Sequence, residues 1–135
     1  MSKSDPSDLS RINLTDEKDE IYNKIKKAKT DTKPMPTDIK DLIERPEAEN
    51  LLRIYSSLRN QQLENSINDF NGKQFSEFKE KLSEALIEKI EPISKEVKKL
   101  LNDEKYLDQI LLQGSEKADK IASKKIKEIK EFIGF

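Results

Sequence analysis

FSEFKEKLSEALIEKIEPISKEVKKLL, residues 75–101, is the stretch that decides the fold. Phe75, Phe78, Leu82, Leu86, Ile90, Ile93, Val97, Leu100 and Leu101 recur three or four positions apart. At 3.6 residues per turn this places them along one side of a helix for about seven turns. Glu and Lys fill the positions between, so the opposite side faces water. Pro92 lies inside the pattern. An interior proline lacks a donor and crowds the preceding turn, so a kink or split is predicted near Ile90.

Moving toward the amino terminus, Asn71-Gly72 makes a turn. A shorter helix carrying Leu63, Ile67 and Phe70 leads into it. Before that, Pro46 suits the first turn of a helix with Leu51, Leu52, Ile54, Tyr55 and Leu58. Residues 37–45 are a linker or short helix with Ile39, Leu42 and Ile43 available to dock. Thr30-Asp31-Thr32-Lys33-Pro34-Met35-Pro36 stops an earlier helix, because two prolines separated by one residue cannot continue it. That first helix carries Ile21, Ile25 and Ala28, and Thr15 or Asp16 is expected to cap it. Asp16, Glu17 and Asp19 suit its positive end, and Lys24, Lys26, Lys27 and Lys29 its negative end.

Toward the carboxy terminus, Asn102-Asp103 reads as a break and a cap. A helical pair follows, divided at Gly114: Leu107, Ile110 and Leu111, then Ala118, Ile121, Ala122, Ile126, Ile129 and Ile133. No segment alternates with the period of a strand, and no repeat is present. The expected fold is all-α, a bundle of about five or six helices over residues 16–135, preceded by a polar loop at residues 1–15.

Composition narrows the chemistry. The 135 residues suffice for one compact domain. With 33% hydrophobic and 39% charged residues, the core is thin and the surface densely charged. A net charge of −1 gives no bulk attraction for nucleic acid, so any RNA contact has to come from a local basic patch. Without cysteine there is no disulfide or thiolate site, and without histidine no hydrolase triad or imidazole ligand. No metal-binding residues are expected. No apolar run reaches the roughly 18 residues of a membrane span, and no signal-peptide core is present. The carboxylates alternate with lysines at helical spacing, as solvated ion pairs do.

The first residues, Met1-Ser2-Lys3-Ser4-Asp5-Pro6, resemble the mobile ATP-binding loop of class I aminoacyl-tRNA synthetases, which reads Lys-Met-Ser-Lys-Ser. The Asp-Pro narrows the resemblance to the tryptophanyl branch. Lys27-Ala28-Lys29-Thr30-Asp31 is similar to that family's Lys-Ala-x-Thr-Asp segment, and Asn50-Leu51-Leu52 followed by Ile54 to its Asn-Leu-Leu helix. Phe70-Asn71-Gly72-Lys73 with Phe78-Lys79 resembles its Phe-x-Gly-Lys turn and the helix after it. Gly114-Ser115-Glu116-Lys117-Ala118 and Ile133-Gly134-Phe135 resemble its last motif and its terminus. These matches stand in the family's order.

The resemblance implies an enzyme that activates tryptophan with ATP and Mg2+ and transfers it to tRNA(Trp). It works as a homodimer in the cytoplasm or an organelle matrix. It further implies that this chain is the carboxy-terminal part, inactive alone, because nothing here resembles the Rossmann catalytic domain or the tryptophan pocket. On that basis Lys3 corresponds to the signature's second lysine, the catalytic one, and Ser2, Lys3 and Ser4 hold the ATP phosphates. The first lysine has no counterpart. The helical domain, residues 16–135, would be an anticodon-binding-type domain that binds the tRNA. A free helical tRNA-binding or docking module, or a non-functional remnant, is the alternative.

From the residues themselves, Lys117, Lys120, Lys124 and Lys127 advance by three or four and share one helix face, opposite Ala118, Ala122, Ile126 and Ile129. Such a stripe suits RNA phosphates. Glu116, Asp119, Glu128 and Glu131 balance it as they would a solvated face. Tyr22, Tyr55 and Tyr106 read as core-edge residues.

Overall fold

The computed structural model describes residues 5–134. Within them lie five α-helices and no strand: α1 (Lys18–Lys27), α2 (Pro46–Arg59), α3 (Leu63–Phe70), α4 (Phe75–Leu101) and α5 (Glu104–Ile133). Short 3-10 turns occupy Asp8–Ser10 and Ile39–Leu42. The expected all-helical fold is present. By internal contacts the chain divides into two units, Met1–Lys95 and Glu96–Phe135.

The first unit holds the core. Ile21 and Ile25 of α1, Leu51, Leu52 and Tyr55 of α2, Ile67 and Phe70 of α3, and Phe78 and Leu82 of α4 are all buried. Removing each such side chain from water contributes about 1.5–3 kcal/mol. At the centre, Phe70 meets Phe78 edge-to-face at 4.9 Å and Tyr55 at 5.1 Å. This geometry sets the positive ring edges against negative faces.

Local sequence explains where these helices begin and end. Pro46 opens α2, its fixed φ suiting a position whose N–H has no helical partner. Asn60 closes it in the left-handed region at φ 52°, where its N–H reaches the carbonyls of Ser56 and Ser57. Gly72 takes φ 69° in the turn between α3 and α4. There the Lys73 carbonyl accepts from the Met35 N–H at 2.8 Å, so the proline-flanked segment is tied to that turn.

Two sequence expectations are corrected here. α4 is not split at Pro92; the helix runs through it. Pro92 has no N–H to give the Glu88 carbonyl, and both residues are exposed, where solvent can take the place of the missing donor. Asp16 and Thr15 do not cap α1. Glu17 is the N-cap, in a capping box with Glu20, while Asp16 is turned inward and buried.

In the second unit α5 is one helix of 30 residues, not a pair divided at Gly114. An interior glycine costs roughly 1 kcal/mol against alanine, too little to break a helix of this length. Asp103 caps it by accepting from the Tyr106 N–H at 3.0 Å, and Gly134 ends it at φ 81°. The apolar residues Ile110, Leu111, Ile121, Ile126 and Ile129 along it are exposed.

Candidate functional site

Asp5 to Arg11 follow directly on the signature-like residues and fold into a tight turn. The Asp5 carboxylate accepts from the Ser7 N–H at 2.7 Å, and Ser7 Oγ from the Leu9 N–H at 3.3 Å. Aspartate and serine so placed mimic a backbone turn with their side chains. Arg11 donates from Nη1 to the Asp5 carbonyl at 3.0 Å, spanning the turn.

Beneath the turn lies an ion cluster. Lys24 Nζ sits 2.7 Å from Asp8 Oδ2 and 2.7 Å from Asp16 Oδ2. The Lys24 and Asp16 side chains are 6% and 7% exposed, whereas Asp8 is 58% exposed. Asp16 also accepts from the Asn13 N–H at 2.9 Å and from Asn13 Nδ2 at 3.2 Å. Burial pushes the Lys24 ammonium toward neutrality, but the hydrogen bonds and charges of Asp16 and Asp8 outweigh it, and the pKa stands above its ordinary value. Asp8 stands below the usual carboxylate range, chiefly through its bond to Lys24 and then that from Asn13.

A groove of about 500 Å³ opens beside the turn, walled by Asp5, Ser7 and Ser10, by Lys27 at the end of α1 and Lys29 beyond it, and by Glu47 and Asn50 of α2. Lys29 is paired with Glu47 at 3.2 Å. Ammonium, carboxylate, amide and hydroxyl groups thus share the lining of this groove with the apolar side chains of Leu9, Ala28, Pro46 and Leu51. The end of α1 is held by Lys79 of α4, whose pKa burial pushes down.

Ser2, Lys3 and Ser4 lie outside the described residues. Lys117, Lys120, Lys124 and Lys127 are exposed on α5, within about 80° of one another around the helix and over about 15 Å of its length. Lys127 stands 3.9 Å from Glu131. The first-helix lysines do not act as one group. Lys24 is buried in an ion pair, while Lys26 and Lys27 are exposed. Of the three tyrosines, Tyr55 is in the core and Tyr22 and Tyr106 are 44% and 48% exposed.

Sequence reasoning missed the Asp8–Lys24–Asp16 cluster and Lys79. The signal for Lys24 was its spacing, three from Ile21 and four from Ala28, which places it on the buried face. Among the described residues no group of His, Cys, Asp or Glu side chains is arranged to hold a metal ion, and no helix is long and apolar enough to cross a membrane.

Residues 1–91 match the family model of class I tRNA synthetases (W and Y). The tryptophan–tRNA ligase of Agrobacterium fabrum is 48% identical over 135 residues, all of this chain and 38% of the relative. That of Rickettsia felis is 49% identical over 135 residues, all of this chain and 40% of the relative. That of Mesorhizobium japonicum is 46% identical over 134 residues, 99% of this chain and 38% of the relative. The chain therefore spans about two fifths of the length of the curated relatives it matches.

Proposed function

The chain belongs to the class I tRNA synthetases of the tryptophan and tyrosine type, and we propose that it forms the carboxy-terminal portion of a tryptophan–tRNA ligase. Such an enzyme joins the tryptophan carboxylate to the α-phosphorus of ATP, expels pyrophosphate, and passes the tryptophanyl group to tRNA(Trp). The observation that carries this reading is the 48% identity to a tryptophan–tRNA ligase over the full chain, together with Lys3 in the signature position.

In this reading Lys3 meets the negative charge that grows on the departing pyrophosphate. A preplaced ammonium is worth most where that charge is greatest, in the transition state. Ser2 and Ser4 donate to the phosphates beside it. Magnesium enters with ATP as part of the substrate. The polar turn at Asp5–Ser10 fixes the point from which this loop departs. The lysines of α5 bind tRNA phosphates, and the ligase works as a homodimer in the cytoplasm or an organelle matrix. Tryptophan is held by the part of the ligase outside these residues, so the 135-residue chain alone forms no adenylate.

The test is tryptophan-dependent ATP–pyrophosphate exchange, measured on the ligase that carries this segment and on the chain itself. The ligase is expected to exchange with tryptophan and not tyrosine. Lys3→Ala is expected to lower kcat/KM by about 10²–10³, and the chain alone to show no exchange. Unchanged kcat/KM in the Lys3 variant, or exchange with tyrosine, would refute the reading.

A further inference from the structure

Of the chain's eight asparagines, only Asn71 precedes a glycine. Asn71 and Gly72 are exposed in the turn between α3 and α4. Asn71 takes φ −48° and ψ 118° and Gly72 φ 69°, and the Lys73 N–H returns to the Phe70 carbonyl at 3.0 Å, which makes a type II turn. Among the described residues no hydrogen bond engages the Asn71 amide or the Gly72 N–H. A side chain on Gly72 would meet nothing within 4 Å, so the flank of this peptide is open. An asparagine amide carbon followed by an unhindered main-chain nitrogen can close a five-membered ring. The turn opposes that closure. Substituents on Cα stand about 120° apart in projection, so at ψ 118° the Gly72 nitrogen is turned about a third of a revolution away from the Asn71 Cβ.

We propose that Asn71 is a spontaneous modification site, converted to isoaspartate and aspartate through a ring closed by the Gly72 nitrogen, at a rate set by opening of the turn. The Gly72 nitrogen gives up its proton and bonds to Asn71 Cγ. The Cγ–Nδ2 bond breaks, and Nδ2 leaves as ammonia with that proton. Water then opens the imide. Attack at the Asn71 main-chain carbonyl leaves isoaspartate, and attack at Cγ leaves aspartate, so one water is consumed for each ammonia released. Two backbone bonds resist the rotation, Lys73 N–H to the Phe70 carbonyl and Met35 N–H to the Lys73 carbonyl at 2.8 Å. Releasing both lowers the open population, and with it the rate, by about 5- to 150-fold. Isoaspartate routes the main chain through Cβ and Cγ, one carbon longer, and adds a carboxylate. A lengthened corner cannot keep the type II geometry, so the Lys73 carbonyl loses its place against Met35, which is 2% exposed.

The experiment incubates the 135-residue chain at neutral pH beside a synthetic peptide of residues 67–76 and follows amide-to-acid conversion at each asparagine by peptide mass mapping. The expected result is acid at Asn71 before any other asparagine, about 5- to 150-fold slower than in the peptide, with the difference abolished in unfolding urea. Asn71→Gln should not convert, because its longer side chain closes a larger ring less readily. The isoaspartate form, separated by ion exchange, should exchange the Met35 amide hydrogen faster than the intact chain. Another asparagine converting first, or no acid at Asn71 at a sensitivity that would register a rate about 150-fold below the peptide's, overturns the site. A rate equal to that of the peptide, or one that urea leaves unchanged, overturns control by the turn. Acid formed as fast in the Asn71→Gln variant places the chemistry elsewhere. Unchanged exchange at Met35 overturns the structural consequence.

Discussion

The ammonium of Lys79 donates to the carbonyl oxygen of Ala28 at 2.6 Å, bridging 51 positions of sequence from α4 to the end of α1. A second, longer bond reaches the Lys26 carbonyl at 3.3 Å. The last carbonyls of a helix have no partner within it, and a cation there also answers the helix dipole. Lys79→Met keeps the aliphatic stem and removes the donor. It should lower stability by about 1–2 kcal/mol, the cost of stranding a half-buried carbonyl. Urea unfolding reads this as a lower midpoint with unchanged slope. A midpoint at or above that of wild type would show that the bond contributes nothing.

The Asp16–Lys24 pair makes a sharper demand. Taking one partner from a buried ion pair leaves an uncompensated charge, at a cost of about 3–5 kcal/mol. Because Asp8 remains on the ammonium, Asp16→Asn is expected to cost less, about 2–3 kcal/mol at pH 7. The double variant Asp16→Leu, Lys24→Met should recover most of that loss, since no charge is then buried. The folded-state pKa of Lys24 is raised, so its contribution is full below the unfolded value of 10.5 and is lost as pH climbs through the folded value. The gap between wild type and Asp16→Asn should therefore narrow as pH climbs through that folded value. Single and double variants of equal stability would contradict this account.

Periodicity revealed the stripe Phe75–Phe78–Leu82–Leu86, and turn chemistry revealed Pro46 and Asn71-Gly72, because these effects act within a few residues. The split expected at Pro92 and the division expected at Gly114 are absent because the cost of a helix-breaking residue depends on its surroundings. Glu88 and Pro92 both lie on the exposed side of α4, where a missing helical bond costs least, and that removes most of the reason to split the helix. Lys24 was grouped with its lysine neighbours by charge, although its spacing from Ile21 and Ile25 belonged to the buried face. At the site, the signature residues were legible as a resemblance. The ion cluster just after them was not, since Asp8 and Lys24 meet only once the turn has folded over α1.

Asp31 and Arg45 form a two-pronged pair, Nε to Oδ2 and Nη2 to Oδ1, each at 2.8 Å. Arg45 also donates to the Pro34 carbonyl and lies 5.6 Å from the Phe75 ring centroid, so it clamps the proline-flanked segment to the core. The Arg45 hydrogen bond, and after it the Lys33 N–H, hold the Asp31 carboxyl below its ordinary value of 3.8. A depressed carboxylate stabilises above its unfolded pKa, and the stability is lost as pH falls through the folded one. Asp31→Asn should thus cost about 1 kcal/mol at pH 7, after allowance for solvent screening. The difference should shrink steadily below pH 3.8. Urea titrations at several pH values test this, and a constant gap between the two proteins would exclude the pair as its source.

Lys117, Lys120, Lys124 and Lys127 lie along one exposed face of α5, so replacing all four by alanine tests the proposed tRNA contact with little risk to the helix. Alanine is the strongest helix former, and the circular-dichroism signal should not fall. If each lysine neutralises one phosphate, the slope of log affinity against log salt drops by about 0.7–0.9 per residue. The four together should flatten it by about 3, with a loss of affinity that is largest at low salt. The measurement is tRNA(Trp) binding by the ligase carrying this segment, titrated across salt concentrations, with wild type alongside. A slope equal to that of wild type would identify the stripe as a solvated face, its charge balanced by Glu116, Asp119, Glu128 and Glu131. The tRNA would then have to be held elsewhere on the protein.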